Sequence, residues 1–283
     1  MHVFKTNKDL IYFLENERIK GNKIGFVPTM GALHPGHMAL IRNALKDNDI
    51  SVCSIFVNPT QFNNEEDLKK YPRKVEEDLG KLEHEGCQVV YLPEDHELYD
   101  DPSMLRTTIN FGGIENILEG RYRPGHLKGV GLIVAKLFNI VKPHNAYFGQ
   151  KDIQQFYLIR QLIHDLSYDI RLHCIPTQRE EDGLAMSSRN RRIPPEYRPV
   201  ASKFYECLLE CKQLLKDGQD VEGIISFAND YLSGFFPLRL EYIALVGTED
   251  FSLLNRKMDS GQQALCIAGY IDNIRIIDNV LLN

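Results

Sequence analysis

The chain has 283 residues, 43% of them hydrophobic and 25% charged, with a formal net charge of -6. That length can bury a full core without staples, as one large or two ordinary domains, and the composition is that of a soluble globular protein. The acidic balance argues against a general nucleic-acid binder, and no apolar run approaches the roughly eighteen residues of a membrane span.

The opening stretch, MHVFKTNKDLIYFLENERIKG, has no positive region followed by an unbroken apolar one, so it is not a secretory signal and reads as an amphipathic helix. Strand-like runs at 24–28, 50–57, 88–92, 145–148 and 169–175 then alternate with helical patterns at 37–47, 73–86, 128–142 and 152–166. This alternation predicts an α/β fold, a Rossmann-like doubly wound parallel sheet whose ligands sit beyond the carboxyl ends of the strands. From about residue 177 the texture turns polar and continues so to Pro194-Pro195. Beyond it, helical patterns at 196–216 and 220–234 precede strand-like runs at 238–246, 264–271 and 273–278, the order of a smaller α+β domain with an antiparallel sheet. The expected division is therefore 1–182 and 183–283, the second part serving as a lid. The six cysteines form no CxxC pair and mostly lie in apolar runs, so they read as reduced core residues in a cytoplasmic protein.

Four segments carry residues suited to chemistry. Pro28 to His37, PTMGALHPGH, joins a strand end to a helix start. Backbone N–H groups there are expected to be unpaired and to favour an anion, Gly31 and Gly36 allow sharp bends, and His34 and His37 add imidazole donors. A surface or metal-binding histidine pair is the competing reading, although zinc needs three or four ligands and no Cys or acidic residue has matching spacing. Asn58-Pro59-Thr60-Gln61-Phe62 follows a strand, and the Gln61 amide can both donate and accept, as a small hydroxy acid requires. An ordinary polar turn is the alternative.

Arg121 to Gly129 gathers two arginines, a lysine and a histidine before an apolar helix, which suits a polyanion or, equally, a solvated charge run. Gly129-Val130-Gly131 follows no strand and lacks a third glycine, so it is not a dinucleotide fingerprint. In Phe148 to Gln155, Lys151 can neutralise phosphate charge, Gly149 allows close approach, and Asp152 is either a helix N-cap or an acceptor for sugar hydroxyls. Leu184 to Asn190 offers Ser187, Ser188 and Arg189 in a flexible loop after Gly183, able to close on a triphosphate or simply to link two domains.

The HxGH string resembles the signature of the nucleotidylyltransferase superfamily. The longer PTMGALHPGH, together with VNPTQF, YRPGHLKGV, FGQKDIQQ and DGLAMSSRN in that order, is similar to the pantothenate synthetase (pantoate–β-alanine ligase) family over roughly 23–195, and more loosely over 238–283. Leu127 replaces a frequent phenylalanine of that family. The resemblance implies ATP-dependent condensation of pantoate with β-alanine through a pantoyl adenylate, releasing AMP and pyrophosphate. It implies ATP contacts from Pro28, Thr29, Met30, Gly31, His34, Gly36, His37, Arg123, His126, Gly149, Gln150, Lys151, Asp152, Gln178, Met186, Ser187, Ser188 and Arg189. Asn58, Gln61 and Gln155 would hold pantoate or β-alanine, and His34, His37, Lys151, Ser187, Ser188 and Arg189 would be catalytic, with His37 either an imidazolium proton donor or an electrostatic stabiliser only. Mg²⁺ is expected with ATP, Glu77 or Asp78 being the candidate carboxylate near it, and a homodimer is expected without nucleic-acid or membrane partners. The rival readings are an adenylyltransferase of the same superfamily, whose product keeps the nucleotide, and a nucleotide-binding regulatory module without turnover.

Overall fold

A computed structural model describes residues 1–99, 101 and 105–282. The chain divides into two compact units, one of Met1–Gly149 with Leu158–Ile175, the other of Gln150–Tyr157 with the chain from Pro176 onward. The division expected at 182/183 falls inside the second unit.

In chain order the elements up to residue 175 are β1 (His2–Phe4), α1 (Asn7–Ile19), β2 (Ile24–Thr29), α2 (Pro35–Asp47), β3 (Ile50–Ile55), α3 (Glu65–Lys70), α4 (Val75–Glu85), β4 (Val89–Tyr91), α5 (Asp95–Leu98), α6 (Leu118–Tyr122), α7 (His126–Val141), β5 (Asn145–Gly149), α8 (Ile153–Asp165) and β6 (Arg171–Ile175). The six strands are all parallel, in the order β1-β4-β3-β2-β5-β6. Ile24, Phe26, Val27, Val52, Cys53, Val89 and Val90 are buried, as expected of strands covered on both faces by helices. From β2 the chain winds outward through β3 and β4, then returns to lay β5 on the other side of β2. The switch point between β2 and β5 is where such sheets leave a crevice at the carboxyl ends of their strands.

The expectation for the first residues needs correction. His2–Phe4 is not the start of the helix but a parallel edge strand on β4, His2 opposite Val89 and Phe4 opposite Tyr91. Three residues are too few for a period to show. The helix begins only at Asn7, where the Thr6 side chain caps the Asp9 N–H.

In the second unit follow α9 (Lys203–Lys216), α10 (Val221–Ser233), β7 (Leu238–Gly247), β8 (Leu253–Leu254), β9 (Gln263–Ile271) and β10 (Ile274–Leu282). The four strands form an antiparallel sheet in the order β10-β9-β7-β8. Phe204, Leu208 and Cys211 of α9 and Ile224, Ala228 and Leu232 of α10 pack with Leu245, Leu265 and Ile267 in its core. The helical pattern read from 196 reduces to a 3₁₀ turn at Arg198–Val200 before α9, because Pro194, Pro195 and Pro199 interrupt the backbone donors an α-helix needs.

The six cysteines are free, and five are buried as expected. Cys174, on the edge strand β6, is exposed. Among the described residues no helix is long and apolar enough to cross a membrane.

Candidate active site

The PTMGALHPGH segment leaves the carboxyl end of β2, at the switch point of the sheet. Thr29 Oγ1 donates to the Ser54 carbonyl at 2.7 Å and accepts from the Gly31 N–H at 3.2 Å. Gly31 and Ala32 then adopt φ of 77° and 51°, two consecutive left-handed residues. A β-carbon at Gly31 would come within 3.1 Å of both Asp78 Oδ2 and Ile55 Cγ2, so glycine is favoured here by its φ and relieves a tight approach. The turn aims successive N–H groups into one concavity, the geometry of an anion nest. The nest is filled from within: Asp78 of α4, 1% exposed, accepts from Ala32 N at 2.7 Å through Oδ2 and from Leu33 N at 2.7 Å through Oδ1.

The start of α2 is equally self-contained. His34 is its N-cap and Pro35 its first residue, and the two histidines form a capping box. His34 Nδ1 accepts from Gly36 N at 3.2 Å, His37 Nδ1 accepts from His34 N at 3.3 Å, and His37 N and Met38 N both donate to the His34 carbonyl. The ring centroids are 4.0 Å apart. The backbone donors expected to await an anion are therefore already paired, and imidazoles stand in for the serine and glutamate of an ordinary capping box. A neutral ring that accepts through Nδ1 carries its proton on Nε2. The geometry thus offers Nε2–H donors, whereas an imidazolium at His37, protonated on both nitrogens, would give up its cap.

Gln61 lies in a 3₁₀ turn, Pro59–Gln61, and is 7% exposed. Its Nε2 donates to Met30 Sδ at 2.9 Å, which joins this turn to the β2–α2 loop. Asn58, 1% exposed, supports it: its Nδ2 donates to Gln61 Oε1 at 3.1 Å and to the Gly129 carbonyl at 3.2 Å, while its Oδ1 accepts from Thr60 Oγ1 and Tyr99 Oη. Asn58 is thereby committed to protein partners. The first turn of α7 lies directly against Gln61, since a β-carbon on Gly129 would meet the Thr60 carbonyl oxygen at 2.3 Å and Gln61 Cα at 2.7 Å.

His126 is also inside this support. Its Nε2 lies 2.9 Å from Arg123 Nη1 and its Nδ1 2.8 Å from the Gln61 carbonyl. A guanidinium only donates, so Nε2 accepts and Nδ1 carries the proton to Gln61. Arg123 is paired with Glu119 at 3.5 Å. The cluster read as a polyanion site thus spends His126 and part of Arg123 on holding the Gln61 turn.

The candidate magnesium carboxylates fare similarly. Glu77 pairs with Lys74 at 2.7 Å, and both oxygens of Asp78 are taken by backbone N–H groups. Among the described residues no group of three or more His, Cys, Asp or Glu is arranged to hold a metal ion.

Within the second unit, Gln150–Asp152 form a 3₁₀ turn that continues directly from Gly149, the last residue of β5. Lys151 Nζ is 3.7 Å from Asp152 Oδ1, and its side chain is 18% exposed. Gln155 is half-buried on α8, while its neighbour Gln154 is buried. The serine-rich segment, read as a flexible loop, is built as a small hairpin: Arg179 bridges Ala185, Met186 N donates to the Gln178 carbonyl, and Gly183 turns the chain at φ 91°. Asp182 accepts from Leu184 N, and Arg198 beside it holds that carboxyl below its ordinary range. Ser187 caps the following 3₁₀ turn, Ser188–Arg192, through its hydroxyl. Gln178 is exposed, and Met186, Ser188 and Arg189 are half-buried.

Two further residues, at the far end of the chain, belong to this half and have no motif to announce them. Asp278 takes a two-pronged bond from Arg179 at 2.6 and 3.0 Å, and burial pushes its carboxyl above the ordinary range against the pull of that guanidinium. Asn279 bonds the Gln150–Lys151 backbone.

A doubly wound parallel sheet with two histidines and a buried amide near its switch point has the architecture of the nucleotide-binding α/β enzymes. The sequence profile of the pantoate–β-alanine ligase family matches residues 2–281. The chain is similar to the pantothenate synthetase of Aquifex aeolicus, 44% identical over 281 residues and covering 98% of this chain and 97% of that one. With that of Cytophaga hutchinsonii it shares 42% identity over 270 residues, 95% of each chain. Among solved structures, the pantothenate synthetase of Thermus thermophilus superposes with a TM-score of 0.90 at 37% identity over 99% of both chains. The pantoate–β-alanine ligase of Francisella tularensis, complexed with β-γ ATP and β-alanine, does so with 0.82 at 37% identity over 99% and 97%. The chain belongs to the pantoate–β-alanine ligase family. It is a ligase, and neither an adenylyltransferase nor a binding module without turnover.

Proposed function

We propose that the enzyme binds ATP and pantoate, forms pantoyl adenylate with release of pyrophosphate, and then passes the acyl group to β-alanine with release of AMP. The observation that carries this order is the bond between Gln61 and Met30, which puts an acid-recognising amide next to the histidine loop within one unit. Pantoate can then be recognised with ATP before any amine arrives.

In the first step a pantoate carboxylate oxygen attacks the α-phosphorus and the bond to pyrophosphate breaks. The carboxylate is itself the nucleophile, so no general base is needed. His34 and His37 donate through Nε2, and Lys151, Ser187, Ser188 and Arg189 spread the charge that grows on the phosphates. Pro28, Thr29, Gly31, Gly36, Gly149, Gln150, Gln178 and Met186 line the nucleotide, Asp152 accepts from the ribose, and Gln61 and Gln155 hold pantoate. Asn58, His126 and Arg123 serve by keeping Gln61 in place. Magnesium enters this proposal only as a counter-ion of the triphosphate. In the second step the amine attacks the acyl carbon, the bond to AMP breaks, and the amide nitrogen passes its proton to the departing AMP phosphate. His37 is proposed to stabilise that phosphate as a hydrogen-bond donor through Nε2–H, keeping its own proton. A cytoplasmic homodimer belongs to the same proposal.

Labelled pyrophosphate should exchange into ATP when pantoate is present and β-alanine is absent. Exchange that strictly requires β-alanine would overturn the order.

Gln61→Ala should weaken pantoate binding about 5- to 150-fold, the equivalent of roughly 1–3 kcal/mol for a lost buried hydrogen-bonding group, and leave ATP binding nearly intact. Calorimetric titration of each ligand reads this directly, and equal losses for both would make Gln61 structural.

A further inference from the structure

Asn279 lies on β10 and is 1% exposed. Its amide nitrogen donates to two successive carbonyls, those of Gln150 at 2.8 Å and Lys151 at 3.0 Å, and its Oδ1 accepts from Gln150 Nε2 at 3.0 Å. The amide thus grips the turn that carries Lys151 at three points. Asn279 is itself held fast: it pairs with Cys266 of β9, its N–H donates to Asp278 Oδ1 at 2.7 Å, and Asp278 is gripped by Arg179, whose guanidinium stacks over the Tyr205 ring at 3.6 Å. A strand residue so anchored is a firmer base than a loop could be. The turn it grips is only three residues long, so rotating its peptide planes redirects the Lys151 side chain.

The structure assigns Asn279 a positioning role, in which its amide holds the Gln150–Lys151 peptides so that the Lys151 ammonium points at the phosphates of the bound nucleotide. This rests on the reading above that Lys151 serves adenylate formation. Two of the three bonds go to the backbone of the turn, so an alanine at 279 leaves the ammonium in place chemically but lets its carrier drift. A displacement of about 1 Å at a charge-stabilising group can cost on the order of 100-fold in rate.

The test is a double-mutant cycle on the full-length enzyme, with Asn279→Ala, Lys151→Ala and the pair. The readouts are thermal midpoint, the rate of pantoyl adenylate formation, and the rate at which β-alanine consumes preformed pantoyl adenylate. Asn279→Ala should slow adenylate formation about 10- to 100-fold while consumption of preformed adenylate stays within about threefold. In the Lys151→Ala background the same substitution should cost less than about threefold, because the group it positions is gone. Equal costs in both backgrounds, or a parental rate for Asn279→Ala alone, would overturn the assignment while leaving the role of Lys151 intact. A parental rate for Lys151→Ala would instead remove the reading on which it rests, and the assignment with it. Should Asn279→Ala not fold, Asn279→Ser, which retains a shorter donor, enters the same cycle under the same criteria.

Discussion

His37→Ala and Lys151→Ala should each slow adenylate formation by about 100- to 1,000-fold, the scale for removing one preorganised donor aimed at developing charge, roughly 3–4 kcal/mol. Their stabilities should differ. Lys151 makes a loose ion pair, at 3.7 Å to an Asp152 that is itself half-exposed, so its removal should leave the unfolding midpoint near that of the parent. His37 closes a capping box, and its loss strands the His34 N–H at a cost of about 0.5–2 kcal/mol. His37→Gln restores an acceptor at that position and should recover the stability but not the rate. With preformed pantoyl adenylate, Lys151→Ala should regain much of its rate, and His37→Ala less if its Nε2–H also serves the departure of AMP. Equal and complete recovery in both would remove His37 from the second step.

The largest stability loss is expected from Asp78→Ala. It leaves the N–H groups of Ala32 and Leu33 buried without acceptors, each costing about 1–3 kcal/mol, so about 2–6 kcal/mol in all. Against a typical total of about 5–15 kcal/mol, that should lower the urea midpoint by a large fraction. Asp78→Asn keeps one acceptor but sets an amide N–H against the other donor, and should fall between. The losses should be the same with and without magnesium. A parental midpoint combined with activity restored by excess magnesium would show that Asp78 is a metal ligand after all.

The inner strands of the parallel sheet could be read from their apolar runs, since a strand buried on both faces needs little else to declare itself, and the histidine motif fell where a strand end met a helix start. What escaped the reading were contacts between residues far apart in the chain. Asp78 fills a nest 46 residues away, and Asn279 grips a carbonyl 128 residues away. A carboxylate in an acidic run looks the same whether it meets a metal, water or a backbone amide. His126 and Asn58 pose another difficulty, because polar residues that brace a turn, as both do here, have the same chemistry as those that touch a ligand. Even within the histidine motif, residue types told of imidazole donors but not that each ring spends its Nδ1 on the helix start.

On the proposal that Gln61 holds the acid, the approach of Gly129 to the Pro59–Gln61 turn sets a boundary for anyone redesigning this enzyme to accept another acid. Because the clash a side chain would create there is with main-chain atoms, at 2.3 and 2.7 Å, no choice of rotamer or smaller neighbour can relieve it. The wall behind Gln61 is consequently a hard datum, fixed by two backbones rather than by exchangeable side chains. Room for a bulkier substrate has to be cut from the residues facing Gln61, and a selection that permits changes at Gly129 should return glycine.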